Sequence, residues 1–140
     1  MPAAPLYPAD SFSLDYRPDQ HLLIGRWLRP VTLAESQAIY EAVLQAALAH
    51  DRCRHWLLDI RRRPATDEAL MQWFGEVYAP RLAAAFQAPV YLAYFAMIDH
   101  DEAATNAIIE RNMQRGYVLG THYHYGNNEG ECLAWLAGHP

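Results

Sequence analysis

Lysine is absent from this 140-residue sequence, and all 11 of its basic residues are arginines. The absence excludes a lysine Schiff base, a Walker A site and the phosphate-binding lysine of kinases. Serine occurs only at positions 11, 13 and 36, so the G-x-S-x-G turn of serine hydrolases is missing as well. The two cysteines, Cys53 and Cys132, form neither a C-x-x-C motif nor a disulfide framework.

The sequence also lacks the features of a leader peptide and of a membrane span. Its first residues have no basic segment followed by an apolar one. The longest uncharged stretch, residues 82–98, is interrupted by Gln87 and Pro89, whereas a span needs about 20 apolar residues. We therefore expect no membrane span and a location in the reducing cytoplasm.

Charge and composition are those of a folded, acidic domain, with a net charge of -5 and 52% hydrophobic residues. A negative chain lacks the basic surface that binding to phosphate backbones requires, so no nucleic-acid binding is predicted. The length predicts one domain over residues 12–140, preceded by a loose, proline-containing lead-in over residues 1–11.

Hydrophobic periodicity predicts an opening hairpin and a capped helix. Phe12, Leu14 and Tyr16 alternate with polar residues, and residues 21–29 supply a second strand. Thr32-Leu33-Ala34-Glu35 is a capping box that begins the first helix.

Three further apolar segments, at residues 55–60, 89–98 and 117–125, predict strands separated by helices. The order is β-β-α-β-α-β-α-β-α. This alternation predicts a single-domain α/β fold, with a mixed sheet of four to five strands and helices packed against it.

The second predicted helix begins with Thr66 as its N-cap and has acidic residues in its first turn. The 3.6-residue spacing predicts which side chains face the sheet. These are Trp73, Phe74 and Val77. Pro80 falls inside the pattern and predicts a kink or a break.

The order of elements and several short motifs resemble the STAS domain, the family of anti-sigma-factor antagonists, and a bacterial branch described as STAS-like or lipid-transfer-like. The motifs are Gly25-Arg26-Trp27 before residues 31–35, residues 57–60 before a helix, and residues 131–136 at the end. The resemblance covers residues 12–138. It implies this fold and a non-catalytic module that binds protein partners or small apolar ligands. No cofactor is predicted.

One motif of that family is missing. STAS switches carry a phosphorylatable serine at the start of the helix after the Leu-Asp-Leu strand, usually in an Asp-Ser-Gly context. This chain has Ala65-Thr66-Asp67-Glu68-Ala69 there, without serine or glycine. The neighbouring carboxylates repel a phosphate, so Thr66 is predicted to be a helix cap and not a phosphorylation site.

A small anionic ligand is predicted to bind where strands end and helices begin. Arg61 and Arg62 follow one strand, Thr66 opens the next helix, and His100 follows the neighbouring strand. Ligands of open α/β sheets lie at this carboxyl edge, and helix N-termini attract anions. In the alternative, the arginines are solvated and pair with nearby carboxylates. Those carboxylates are Asp59, Asp67 and Glu68.

His122 and His124 share one face of a predicted strand, a spacing that a metal can use. A metal site needs at least a third protein ligand, which the sequence does not pair with them. The candidates for it are His21, His55 and Asp59. No metal is predicted, and a metal-dependent enzyme built on His100, His122 and His124 is the less favoured alternative.

Cys53 lies between Arg52 and Arg54, whose charges would lower the pKa of its thiol. It also precedes a buried strand, where a free cysteine serves as a small apolar residue. Because no Cys-His-Asn arrangement can be argued, the structural role is preferred.

The predicted function is therefore non-catalytic binding of a protein partner or a small ligand. An alternative is a carrier of a small apolar or anionic ligand, with its pocket under the second helix. A homodimer is also expected, because the strands at residues 12–16 and 117–125 are the candidate edges of the sheet. Residues 121–125 carry no charge that would discourage pairing with another chain.

Overall fold

The computed structural model describes residues 7–64, 67–97, 107, 109–111, 114 and 120–139. It confirms the α/β fold and the mixed sheet, which has five strands. The strands are β1 (Phe12–Arg17), β2 (Leu22–Trp27), β3 (His55–Asp59), β4 (Val90–Phe95) and β5 (Thr121–Gly126). The helices with described bounds are α1 (Leu33–Ala49), α2 (Glu68–Trp73), a π-helical turn (Phe74–Tyr78), α3 (Ala79–Phe86) and α4 (Glu129–Ala137).

The strands lie in the sheet in the order in which they occur along the chain, β1-β2-β3-β4-β5. β1 and β2 form the predicted antiparallel hairpin, and every later pair is parallel. Among the described strands, β1 and β5 are therefore the edges of the sheet. Parallel neighbours need crossover connections, which α1 and the α2–α3 segment provide.

The sheet has a large core on one face and a smaller one on the other. Alternate residues of β3 divide between the faces: Trp56 and Leu58 join the core beneath α1, α2 and α3, whereas Leu57 joins the core beneath α4. All three are fully buried, which fits a strand covered on both sides.

The predicted capping box of α1 is present. The hydroxyl of Thr32 accepts the amide of Glu35 at 3.1 Å, and the Glu35 carboxylate accepts the amide of Thr32 at 2.9 Å. α4 has a related start, because the side chain of Asn128 accepts the amide of Glu131 at 2.7 Å.

The second predicted helix differs in three respects. Its N-cap is Asp67, whose side chain accepts the amide of Leu70 at 3.2 Å, and Thr66 lies outside the described residues. The break comes before Pro80, as a π-helical turn. Phe74 faces the sheet as predicted, but Val77 is 46% exposed and Trp73 is half-buried.

The π-helical turn explains the error at Val77. A π-turn closes its hydrogen bonds from i to i+5 and so holds one more residue than an α-turn. The added residue shifts the inward position from Val77 to Tyr78, which is fully buried.

The described part of the predicted lead-in contacts the core. Tyr7 lies edge-on to Phe12, with 5.6 Å between ring centroids, and Ser11 is fully buried. Across the described ranges, no helix has both the length and the apolar character that crossing a membrane demands.

Candidate functional site

The first of the predicted ligand-binding arginines is held by a neighbouring carboxylate. Nε and Nη2 of Arg61 donate to the two oxygens of Asp59 at 3.0 and 2.9 Å. Arg26 also donates to Asp59, at 3.0 Å, and to Glu129 at 2.5 Å. The Arg61–Asp59 pair corresponds to the alternative in which the arginines pair with nearby carboxylates. The network of hydrogen bonds joins β2, β3 and α4.

Asp59 is the centre of this network and only 4% exposed. Burial acts to raise the pKa of its carboxyl group, but hydrogen bonds from Arg61 and Arg26 outweigh burial and hold the pKa below its ordinary value. The network is therefore charged at neutral pH.

The other predicted ligand residues do not form a described site. Arg62 is exposed, and Thr66 and His100 lie outside the described residues. Arg63 is the arginine that turns inward. Its Nη2 donates to the hydroxyl of Tyr40 at 3.1 Å.

His122 and His124 share one face of β5, as the sequence predicts, but each contacts a different aromatic ring. His122 stacks on Tyr91 at 5.2 Å, and His124 stacks on Trp135 at 5.3 Å. Nε2 of His124 lies 3.5 Å from a carboxylate oxygen of Glu131. No three histidine, cysteine or carboxylate side chains are arranged to hold a metal ion within the described part of the chain.

The cysteines are buried and protonated. Burial raises the pKa of both thiols, that of Cys132 to about 11. The thiol of Cys53 donates to the carbonyl of His21 at 3.2 Å. This environment is that of a structural cysteine.

A groove of about 660 Å³ opens between α4 and the first residues of β2 and β3, at the amino edge of the parallel strands. We call it the apolar groove. It is lined by Gln20, His21, Leu22, His55, Leu133, Ala134, Leu136 and Ala137. α4 lies across β3, β4 and β5, and the adjoining part of β2 lies beside the apolar side chains of α4. The groove is the space between α4 and this part of β2.

A second pocket, of about 300 Å³, shares His21 and His55 with the apolar groove. We call it the basic pocket. Its lining residues are His21, Asp51, Arg52, Arg54, His55, Phe86 and Ala88. The two pockets therefore adjoin, one apolar and the other charged.

Backbone carbonyls fix both arginines of the basic pocket. Nη2 of Arg52 donates to the carbonyls of Ala85 and Phe86, at 2.5 and 2.9 Å, where α3 ends. Nη1 of Arg54 donates to the carbonyl of Pro89 at 2.8 Å. Cations are favourable at a helix C-terminus, which stabilises Arg52 in this position.

The two shared histidines are also held in place. Nδ1 of His21 is 2.7 Å from the hydroxyl of Tyr16. His55 stacks on Tyr91 at 5.1 Å, and its Nε2 donates to the carbonyl of His139.

Four non-glycine residues of the described chain have a left-handed backbone, and all four lie at this edge. They are His21, Asp51, Arg52 and Gln87, with φ between 47° and 56°. Three of them line the basic pocket, and Gln87 lies between two lining residues. Left-handed residues cost backbone energy, so the surrounding structure holds this edge in a defined shape.

The amino edge is not among the sites predicted from the sequence. The signal for it is the pair Arg52 and Arg54, placed between the end of a helix and the start of a buried strand. In the sequence, these arginines bear only on the pKa of the Cys53 thiol.

No family model, curated protein or solved structure matches this chain.

Proposed function

We propose that this protein is a non-catalytic, STAS-like binding module of the cytoplasm, and that the apolar groove binds a small apolar ligand. The observation that carries the proposal is the groove itself, with leucine and alanine side chains along α4 and Leu22 opposite. Its volume of about 660 Å³ lies within the range of about 300–1,000 Å³ that is usual for small-molecule sites.

The other candidate sites receive less support. The pocket beneath α2, between Tyr40, Leu70 and Phe74, has a volume of about 20 Å³, room for about one water molecule. A carrier site under the second helix would require that helix to move. The metal-dependent enzyme lacks a described third ligand near His122 and His124.

The test measures binding of N-phenyl-1-naphthylamine, an uncharged apolar probe, by the rise in its fluorescence. Ala134 is exposed on α4 and lines the groove, so Ala134→Trp places an indole in the groove without disturbing the core. We expect the variant to weaken probe binding at least about tenfold, which corresponds to about 1.4 kcal/mol.

The matched control is Ala84→Trp, an exposed alanine on α3 that lines neither pocket. This variant should bind the probe as the parent protein does. Equal binding by the parent, Ala134→Trp and Ala84→Trp would contradict the assignment of the groove, and no binding by the parent would contradict the function.

A further inference from the structure

We infer that the ligand of the apolar groove carries an anionic head group and that Arg52 and Arg54 bind this group in the basic pocket. The inference rests on the proposed function, because the same groove receives the apolar part of the ligand. It adds the chemical class: a single-chain amphiphile that ends in a carboxylate or a phosphate.

The apolar groove and the basic pocket are continuous. His21 and His55 line both pockets, so a molecule that lies along α4 and Leu22 reaches the basic pocket at one end. Apolar side chains line one part of this path, and arginines lie only at its far end. An apolar chain with one charged end matches this division.

The charged side chains of the basic pocket are mainly cationic. Its lining has two permanent cations, Arg52 and Arg54, and one carboxylate, Asp51. The other polar side chains of the lining are those of the two shared histidines. The pocket therefore favours an anion and disfavours a cation.

The two arginines supply the hydrogen-bond donors that an anion needs. A guanidinium has five N–H groups, and the hydrogen bonds to backbone carbonyls use one terminal nitrogen of each arginine. Because these bonds already fix the side chains in position, binding an anion costs little additional side-chain entropy. Arginine pairs with both carboxylate and phosphate through two parallel hydrogen bonds.

The experiment compares amphiphiles that share one alkyl chain. Decanoate, decyl phosphate, decanol and decyltrimethylammonium each displace N-phenyl-1-naphthylamine from the folded protein, below their micelle concentrations. We expect decanoate, decyl phosphate or both to bind at least about tenfold more tightly than decanol, and decyltrimethylammonium to bind more weakly than decanol. The comparison of decanoate with decyl phosphate distinguishes the two head groups.

The variant Arg54→Gln should bring decanoate and decanol to within about twofold of each other, while decanol binds as before. Arg52→Gln is the second variant, and circular dichroism verifies that each variant is folded. Arg81→Gln is the charge-matched control, because Arg81 pairs with Glu41 and lines neither pocket. It should retain the preference for the anion.

Removing the carboxylate of the pocket gives the opposite effect. Asp51→Asn should tighten decanoate binding and leave decanol unchanged. Equal affinities of decanol and both anions for the parent protein would overturn the inference and leave the proposed function standing. If the probe binds but none of the four amphiphiles displaces it, the inference fails as well. If the parent protein does not bind the probe, the proposed function fails with it.

Discussion

Asp59 has the most hydrogen-bonded carboxylate in the described part of the chain. It accepts from the side chains of Arg26 and Arg61 and from the backbone amide of Arg61. Removing one partner of a buried charged hydrogen bond costs more than the bond itself contributes, because the other partner loses its solvation without compensation. At the residue scale, Asp59 is therefore the position where a change of one charge has the largest expected effect.

The first prediction is that Asp59→Asn lowers the free energy of unfolding at neutral pH by about 1–3 kcal/mol. The carboxyl group has a lowered pKa in the folded state, so the stability it contributes is present above its ordinary value of 3.8. That contribution is lost as the pH falls through the folded-state pKa. Denaturant titrations at several pH values below about 5 should show that the free energy of unfolding falls less steeply with decreasing pH for the variant than for the parent protein.

The control for this prediction is Asp15→Asn. Asp15 pairs with Arg17 at the surface, and both side chains are more than half exposed. Such pairs contribute little to stability, so the control should follow the parent protein. An identical pH dependence for Asp59→Asn and the parent would contradict the assigned role.

At the scale of elements, most of the secondary structure could be predicted from the sequence. Strands and α-helices have fixed side-chain periods, and the Thr32 and Asn128 caps have local signatures, so each is visible in a short window. The π-helical turn at Phe74–Tyr78 has neither the side-chain period of an α-helix nor a local cap signature. It changes the period within one helix, and an extrapolated 3.6-residue spacing then assigns Val77 to the wrong face.

The second prediction follows from this turn. Phe74→Ala should cost about 3–5 kcal/mol of unfolding free energy, because the Phe74 ring is buried among Tyr40, Tyr78 and Tyr123. Val77→Ala should change it by no more than about 0.5 kcal/mol, since Val77 is exposed. Urea denaturation of both variants measures the two changes in unfolding free energy. A similar loss for Phe74→Ala and Val77→Ala would mean that the helix is a continuous α-helix without the π-helical turn.

At the scale of the whole molecule, the α/β pattern of the sequence predicts a site at the carboxyl edge, because ligands of α/β sheets usually bind there. The described apolar groove lies at the opposite edge. Its existence depends on where α4 lies across the sheet, and helix placement is a property of tertiary packing that no local pattern encodes. The pair Arg52 and Arg54 was visible, but the apolar side chains beside it come from β2 and α4, distant in sequence.

The third prediction is the homodimer, which stays a prediction. β5 is an edge strand of the described sheet and contains no aspartate, glutamate, lysine or arginine, whereas β1 carries Asp15 and Arg17. Light scattering at micromolar concentration should give twice the chain mass of 16.0 kDa. A mass near that of one chain would rule out the dimer.

Tyr123 is unsuitable as a probe of that interface, because it is buried against Phe74 and Tyr94. Amide hydrogen exchange locates the interface without a substitution. If β5 pairs with a second copy, its amides should exchange more slowly at high protein concentration than after dilution.

The proposed binding of an amphiphilic anion at the amino edge of the sheet is tested most directly by NMR. Decanoate is titrated into the isotope-labelled protein, and the amide chemical shifts are followed residue by residue. We expect the largest changes at residues 133–137 of α4, residues 20–22 at the start of β2 and residues 52–55 before and at the start of β3. Changes concentrated at residues 59–64, on the carboxyl edge, would contradict it.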